Sequence, residues 1–429
     1  MRPLLPTVAV AAALWPLGAA AEVSLAGEIN VGVEFLSVGN ASAAARDARL
    51  LRPALGNDGK GLSSFGVNNN YSNLTVSSLE ELGGGVKLDF AFRVQMTNDA
   101  AGGELTNHDS HIGFTSERWG GAWYGTNEDV YERYLYSIDP LDEQAGLGGN
   151  LQIMGTPGGN VFTVYNATTG PDAFTWNRRE GNVVWYDSPN LGGFTFGLAW
   201  QTNDDRSGRG LSPRMFQAGV RYEASAIPLQ LWSAYGRRKD QLGLVGFARQ
   251  GYGIEQTAGG SDDRALQFGA AYGLGPVTVF AVWERLDYRL DDAGYTGTLS
   301  DSTLFARWKR DALALGFKWN VPTGYWGAQY VQALDARCQL GAAYAAAAGT
   351  GTSCQNVAGS GFDTGQTGAR MIGAGYYHTL SKQTQVYLVA SWIDNEAFAT
   401  YGGAGISNAA NFNAGATIWG VGAGLVYTF

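Results

Sequence analysis

Strict two-residue alternation constrains this chain more than any other feature. In its last stretch Trp419, Val421, Ala423, Leu425, Tyr427 and Phe429 share one parity, while Gly420, Gly422, Gly424, Val426 and Thr428, small or weakly apolar, hold the other. A period of two belongs to a strand with one apolar side. The stretch after residue 21 repeats the pattern, with Val23, Leu25, Gly27, Ile29, Val31, Val33 and Phe35 alternating with Glu22, Ser24, Ala26, Glu28, Asn30, Gly32 and Glu34. A soluble sandwich could use either strand, but neither accounts for its polar face unless that face meets water. A closed barrel does, with lipid outside and water inside, because pairing the final strand with the first leaves no unbonded edge.

Composition bears on this choice at three points. The 429 residues are long for one domain, yet all-β barrels run long as single units. Glycine reaches 62 residues, and Trp, Tyr and Phe reach 13, 21 and 19; glycine suits tight turns and crowded inward positions, and Trp and Tyr suit membrane interfaces. No run of about 18 apolar residues exists beyond the N-terminal segment, which excludes helical spanning but not strands, whose hydrophobicity hides in alternation. Residues 1–21 read as an export leader: Arg2, an apolar run from Leu4 to Leu17, and Ala19-Ala20-Ala21 as a small-residue cleavage site. Pro6 and Pro16 argue against a buried helix there. The mature unit is then 22–429, outside the cytoplasm.

Connections alternate in length. Short ones fall at Leu82–Gly85, Glu117–Gly120, Ser188–Gly193, Ala224–Pro228, Gly273–Pro276, Val321–Gly324 and Thr379–Gln383. Between them lie long polar or Gly/Asn/Asp-rich stretches near 37–70, 98–108, 127–177, 203–213, 238–263, 287–311, 335–368 and 394–416. About eight long and seven short connections predict an all-β transmembrane antiparallel barrel of about sixteen strands, with short turns on the periplasmic side. A propeller would repeat one loop pattern every four strands, and none is visible. Charge keeps to the inner parity: Lys87, Asp89 and Arg93 alternate with Val86, Leu88, Phe90, Phe92 and Val94. A lipid-facing Lys or Arg at mid-depth costs about 2–4 kcal/mol, so this segregation is physically required.

Enzymatic readings find no support. There is no Gly-x-Ser-x-Gly elbow, and the Gly420-x-Gly422-x-Gly424 run opens no helix that could cradle a phosphate. Cys338 and Cys354, an even pair in an exported chain, favour a disulfide closing a surface loop. No cluster has metal-ligand spacing, so no cofactor is expected; acidic loops offer Ca²⁺ only loose binding. His108, His111 and His378 are the only histidines, and His108 and His111 read as exposed loop-end residues rather than a pH gate. A net charge of −9 without a basic patch argues against nucleic acid.

Several hairpins resemble those of the trimeric general porins of Gram-negative bacteria, especially the proteobacterial branch. Glu80-Glu-Leu-Gly-Gly-Gly-Val-Lys-Leu88 is similar to that family's E-D-L-G-G-G-L-K hairpin, and Tyr186-Asp-Ser-Pro-Asn-Leu-Gly-Gly-Phe-Thr-Phe-Gly197 to its Y-D-S-P-N-F-G-G-F-S-F-G turn. Leu274–Asp287, Leu380–Tyr387 and the terminal Phe429 resemble family features too. The resemblance implies a homotrimer in the outer membrane, bounded by lipid and lipopolysaccharide, that passes small polar solutes. It also implies that the third long loop, 126–177, folds into the lumen as a constriction. Acids on that loop, Glu128, Asp129, Glu132, Asp139, Asp142 and Glu143, would then face arginines across water, with Arg133 the lone cation among them. Basic residues at lumen parity are Arg93, Arg179 and, nearer the periplasmic rim, Arg221 and Lys318. Three arginine positions of the family pattern hold Asn73, Thr126 and Trp185 instead, which predicts a cation preference. Trp123, Trp185 and Trp232 belong to the inner face, where packing beneath the loop is favoured over a stacking slide for sugars.

The first expectation is therefore a passive diffusion channel for small hydrophilic solutes. A substrate-selective channel and a plugged scaffold or adhesin barrel are the alternatives.

Overall fold

In a computed structural model the chain closes into a single antiparallel barrel. The structure describes residues 22–47, 60–97, 104–141, 147–158, 175–177, 179–202, 212–241, 260–290, 305–355, 362–402, 412 and 414–429, so the proposed leader lies outside them. Sixteen strands run up and down: β1 (Glu22–Val38), β2 (Leu62–Asn69 continued by Asn73–Gly83), β3 (Val86–Thr97), β4 (Glu104–Ser116), β5 (Gly120–Glu128), β6 (Arg179–Asp187), β7 (Phe194–Thr202) and β8 (Arg214–Glu223). The second half holds β9 (Leu229–Lys239), β10 (Asp262–Leu274), β11 (Val277–Arg289), β12 (Phe305–Val321), β13 (Gly324–Ala333 continued by Arg337–Leu340), β14 (Ala369–Thr379), β15 (Thr384–Asn395) and β16 (Thr417–Thr428). The sheet has 18 extended segments, but both parts of β2 pair with β1 and both parts of β13 pair with β12, so 18 less 2 gives the strand count.

Closure is by β1 against β16, in a register running from Glu28↔Thr428 to Val38↔Ile418. No edge remains, which is what a spanning sheet requires. β2 breaks where Tyr71 takes a left-handed φ of 63°, and the break is tied to β1 by Asn70 N donating to Asn30 O at 2.9 Å.

Every short connection expected from the sequence is present, and they share one rim. Strands extend further than expected at the opposite, long-loop rim: β2 begins at Leu62, β9 reaches Lys239 and β12 begins at Phe305. Outward positions such as Phe90, Phe92, Leu198, Phe268, Leu315, Ile372, Leu388 and Val421 are exposed apolar side chains, a lipid-facing band. Short helices α1 (Ala43–Asp47), α2 (Val130–Tyr136) and α3 (Ala342–Ala347) lie in the long connections. A Cys338–Cys354 disulfide, Cα atoms 5.9 Å apart, encloses α3.

Candidate functional site

The connection from β5 to β6 does not stand away from the barrel. Asp129 caps α2, its Oδ1 accepting from Glu132 N at 2.8 Å, and α2 then packs inside the barrel against β7, β8 and β9. From there the loop follows the inner wall as far as β16. Tyr131 N donates to Gln217 Oε1 on β8 at 3.0 Å, and Gln267 Nε2 on β10 donates to Tyr131 O at 2.6 Å. Further on, Gln329 Nε2 on β13 donates to Asp139 Oδ1 at 3.0 Å and to Gly148 O at 2.6 Å. Tyr377 of β14 donates to Leu141 O, and Leu147 reaches Gly420 and Gly422 on β16.

Small residues let the backbones meet. A Cβ on Gly373 would stand 2.5 Å from Gly148 O and 2.8 Å from Leu141 Cδ1, so only glycine leaves room for the loop there.

Two buried charge clusters hold the loop. Arg238 of β9, almost fully buried, places Nη2 3.0 Å from both Asp129 Oδ2 and Glu180 Oε1, with its guanidinium 4.2 Å over the Trp176 ring. Glu284 of β11 accepts from Tyr131 OH at 2.6 Å and from Gly155 N at 2.8 Å, and its Oε1 lies 2.8 Å from Arg310 Nη1 of β12. Arg310 also donates to Ile153 O at 2.6 Å and to Thr156 O. Charges this deep are tolerated because each is paired and hydrogen-bonded.

The remaining inward charges are partly exposed. Asp109 of β4 links Arg93 of β3, 3.6 Å away, to Arg179 of β6 at 3.0 Å, and Arg179 also binds Glu128 at 2.6 Å. Arg133, projecting from α2, grips Asp187 of β6 through two bonds of 2.9 and 3.0 Å. Arg221 donates to Ser137 Oγ at 2.8 Å and lies over the Tyr134 ring, and Lys318 sits 3.8 Å over Tyr325.

Several expectations need correction here. Asp129, Glu132 and Asp139 are buried against the wall and do not face water. Asp129 touches a wall arginine directly instead of opposing one across the lumen, because a loop acid driven against the wall must find a partner. Asp142 and Glu143 lie outside the described residues. His108 is 5% exposed, with Nδ1 2.8 Å from Asp109 Oδ2. His111 is set edge-on to Trp123 and Trp185, so neither is an exposed loop-end residue.

The cation preference loses its foundation with those acids. Partly exposed Arg93, Arg133, Arg179, Arg221 and Lys318 stand against Asp89, Asp109, Glu128 and Asp187, a nearly balanced set among the described residues. Arg238 and Arg310 were missed because residues 238–263 and 287–311 read as loops; continuing the inward parity of Trp232, Ala234 and Gly236, or of Ala314 and Ala312, reaches them. Among the described residues no group of three or more His, Cys, Asp or Glu is arranged to hold a metal.

Comparison with known proteins bears on the whole chain. A family model described as Gram-negative porin matches residues 7–399. An outer membrane porin protein of Bordetella pertussis is 27% identical over 365 residues, covering 78% of this chain and 81% of that protein. Among solved structures, an anion-selective porin from Comamonas acidovorans superposes with a TM-score of 0.64 at 19% identity, over 95% of this chain and 100% of that one. OmpT of Vibrio cholerae in its trimer form gives 0.56 at 10% identity, over 96% of this chain and 100% of that one. At these identities the two structures speak for the fold alone.

Proposed function

Because this chain belongs to the Gram-negative porin family, an outer-membrane family of diffusion channels, we propose that its third long loop, 126–177, is the constriction of its pore. The observation that carries this reading is the pair of buried clusters, Arg238 with Asp129 and Glu180, and Glu284 with Arg310 and Tyr131, which pin the loop to one wall. Across the ring of strands from Glu284 and Arg310, the wall of β3 to β6 keeps its partly exposed Arg93–Asp109–Arg179–Glu128 network, which adjoins the Arg238 cluster at its near end. Solutes would pass between the two, through water bordered by alternating charge, which favours small polar molecules over apolar ones.

Near-balance of the exposed charges leads us to expect weak ion selectivity. Planar-bilayer reversal potentials in a KCl gradient test this, and a strong preference of either sign would refute it. Arg179→Gln should move the potential toward cations, since it leaves Asp109 and Glu128 with less compensation.

A homotrimer surrounded by outer-membrane lipid and lipopolysaccharide is the assembly this reading implies. It is supported by the trimer form in which the Vibrio OmpT is described, and heat-labile migration of the native protein on gels would test it. Passive diffusion calls for no cofactor and leaves no reaction to catalyse. A sugar-selective slide has less support: Trp185 and Trp232 are nearly buried, and Trp185 is stacked 5.8 Å from Trp123 with little free face.

A further inference from the structure

The loop 126–177 has a further hold at the long-loop rim, where the outer connections reach it. Pro157 O accepts from Trp308 Nε1 of β12 at 3.3 Å and from Tyr401 OH at 3.2 Å. Tyr401 belongs to the connection between β15 and β16, whose backbone is bonded to the loop as well. Thr400 N donates to Gly158 O at 2.8 Å, and Gly402 N to Gln152 O at 3.2 Å. Gly158, at a φ of 64°, lies so close against the Tyr401 ring that no side chain would fit there. Beside this contact the buried rings of Phe305, Trp308, Phe362 and Phe398 form one cluster, with neighbouring centroids between 5.1 and 6.5 Å apart.

Trp308 is backed by a short piece of chain. The continuation of β13, Arg337–Leu340, pairs with β12 and sets Cys338 opposite Trp308. β14 follows β13 no further than Ala333, so the second edge of that continuation meets the chain's own return instead. There Gln339 bridges to Ser353, and Leu340 N donates to Thr352 O at 2.9 Å. Contacts of this kind close only a weak hairpin. The Cys338–Cys354 bond closes it covalently around α3, whose Tyr344 and Ala345 are buried. Cys338 is half-buried against the core, and Cys354 is 2% exposed. The chain has two cysteines in all, so a thiol reagent has a single target.

We propose that the Cys338–Cys354 disulfide is a redox-sensitive latch on the constriction, whose cleavage by a small dithiol loosens the grip of Trp308 and Tyr401 on Pro157. One thiolate of the reagent attacks the more accessible Cys338 sulfur and expels that of Cys354. The reagent's second sulfur then attacks the mixed disulfide and expels Cys338. Two electrons and two protons pass to the protein, which gains two thiols, and the reagent leaves as a cyclic disulfide. Without the bond, the segment from Arg337 to Gln355 regains the conformations the crosslink denies it, and Trp308 loses its backing. The proposal rests on 126–177 being the constriction.

The test records single channels of the refolded full chain in planar bilayers before and after dithiothreitol, with free thiols counted by alkylation and mass. Reduced wild type should carry two alkylated cysteines. Its excursions above the main conductance level should become on the order of tenfold more frequent, a fraction of what closing a loop of this length is worth. Reoxidation should restore steady currents. The variant Cys338→Ser/Cys354→Ser should behave like the reduced protein and ignore the reagent. Unaltered currents from a fully reduced wild type, a bond that resists the reagent in the folded barrel, or a variant that still responds overturns the proposal. Should the variant fail to refold, wild type before and after reduction decides alone. Arg310→Ala tells the two readings apart: if it alters the currents while reduction does not, the latch falls and the constriction stands, and if neither alters them, both fall.

Discussion

Arg310 shows what a single buried residue does in this barrel. Its guanidinium sits between Glu284 and the loop carbonyls of Ile153 and Thr156, with no exposure of its own. Arg310→Ala should strip Glu284 of its counter-charge and weaken loop docking by about 3–5 kcal/mol, the usual penalty for orphaning one member of a buried pair. Larger, noisier single-channel currents and faster protease cleavage within 129–158 would register it; unaltered currents would contradict it. A second residue links the long-loop rim to pH. Burial, together with Asp335, which shares the Gly368 N–H with it, holds the Glu396 carboxyl above its ordinary value. A folded-state value above the unfolded one means the folded protein holds that proton more tightly, so the contribution is greatest in acid and is lost as pH rises past the folded value. Glu396→Gln should therefore flatten the fall in thermal midpoint as pH rises above the ordinary carboxylate range; an identical slope in both proteins would rule it out.

At the scale of elements, the loop depends on the blankness of the wall it crosses. Gly373 and Gly375 on β14, like Gly420 and Gly422 on β16, sit where Leu141 and Leu147 lie flat. Gly373→Val should leave β14 paired, since a branched residue suits a strand, while lifting the segment around Gly148 away from Gln329. Conductance should rise with little change in heat-modifiable migration, and a barrel that no longer folds would show that the wall, not the loop, was the element at risk. The strands themselves were legible because each carries its own two-residue period. Their upper ends were not: past the lipid the outward parity turns from apolar to charged, as at Asp262, Arg264, Arg307 and Lys309, so the contrast that marks a strand disappears while its hydrogen bonds continue.

For the whole molecule, the barrel is a device for keeping polar backbone paired inside lipid, and its outer band is uncharged for that reason. Leu315→Arg, at an exposed outward position well inside β12, should destabilise the folded barrel by about 2–4 kcal/mol, read from its urea midpoint in bilayers. Substituting the inward neighbour Ala314 by Ser should have a far smaller effect, and equal penalties at the two positions would mean that the faces are assigned the wrong way round.

What the chain decides locally, it decides from its residues alone: parity chooses the face of every strand, and glycine- and proline-bearing turns set the short rim, because both act over two to five residues. The partnering of the loop acids is another matter. Asp129 meets Arg238, and Tyr131 meets Glu284, only after the sheet has curved round and closed on β1. That meeting depends on strand number and register summed over the whole circumference, so no stretch of sequence holds it. Whether a carboxylate lines the water or is sealed beneath the loop was settled by closure.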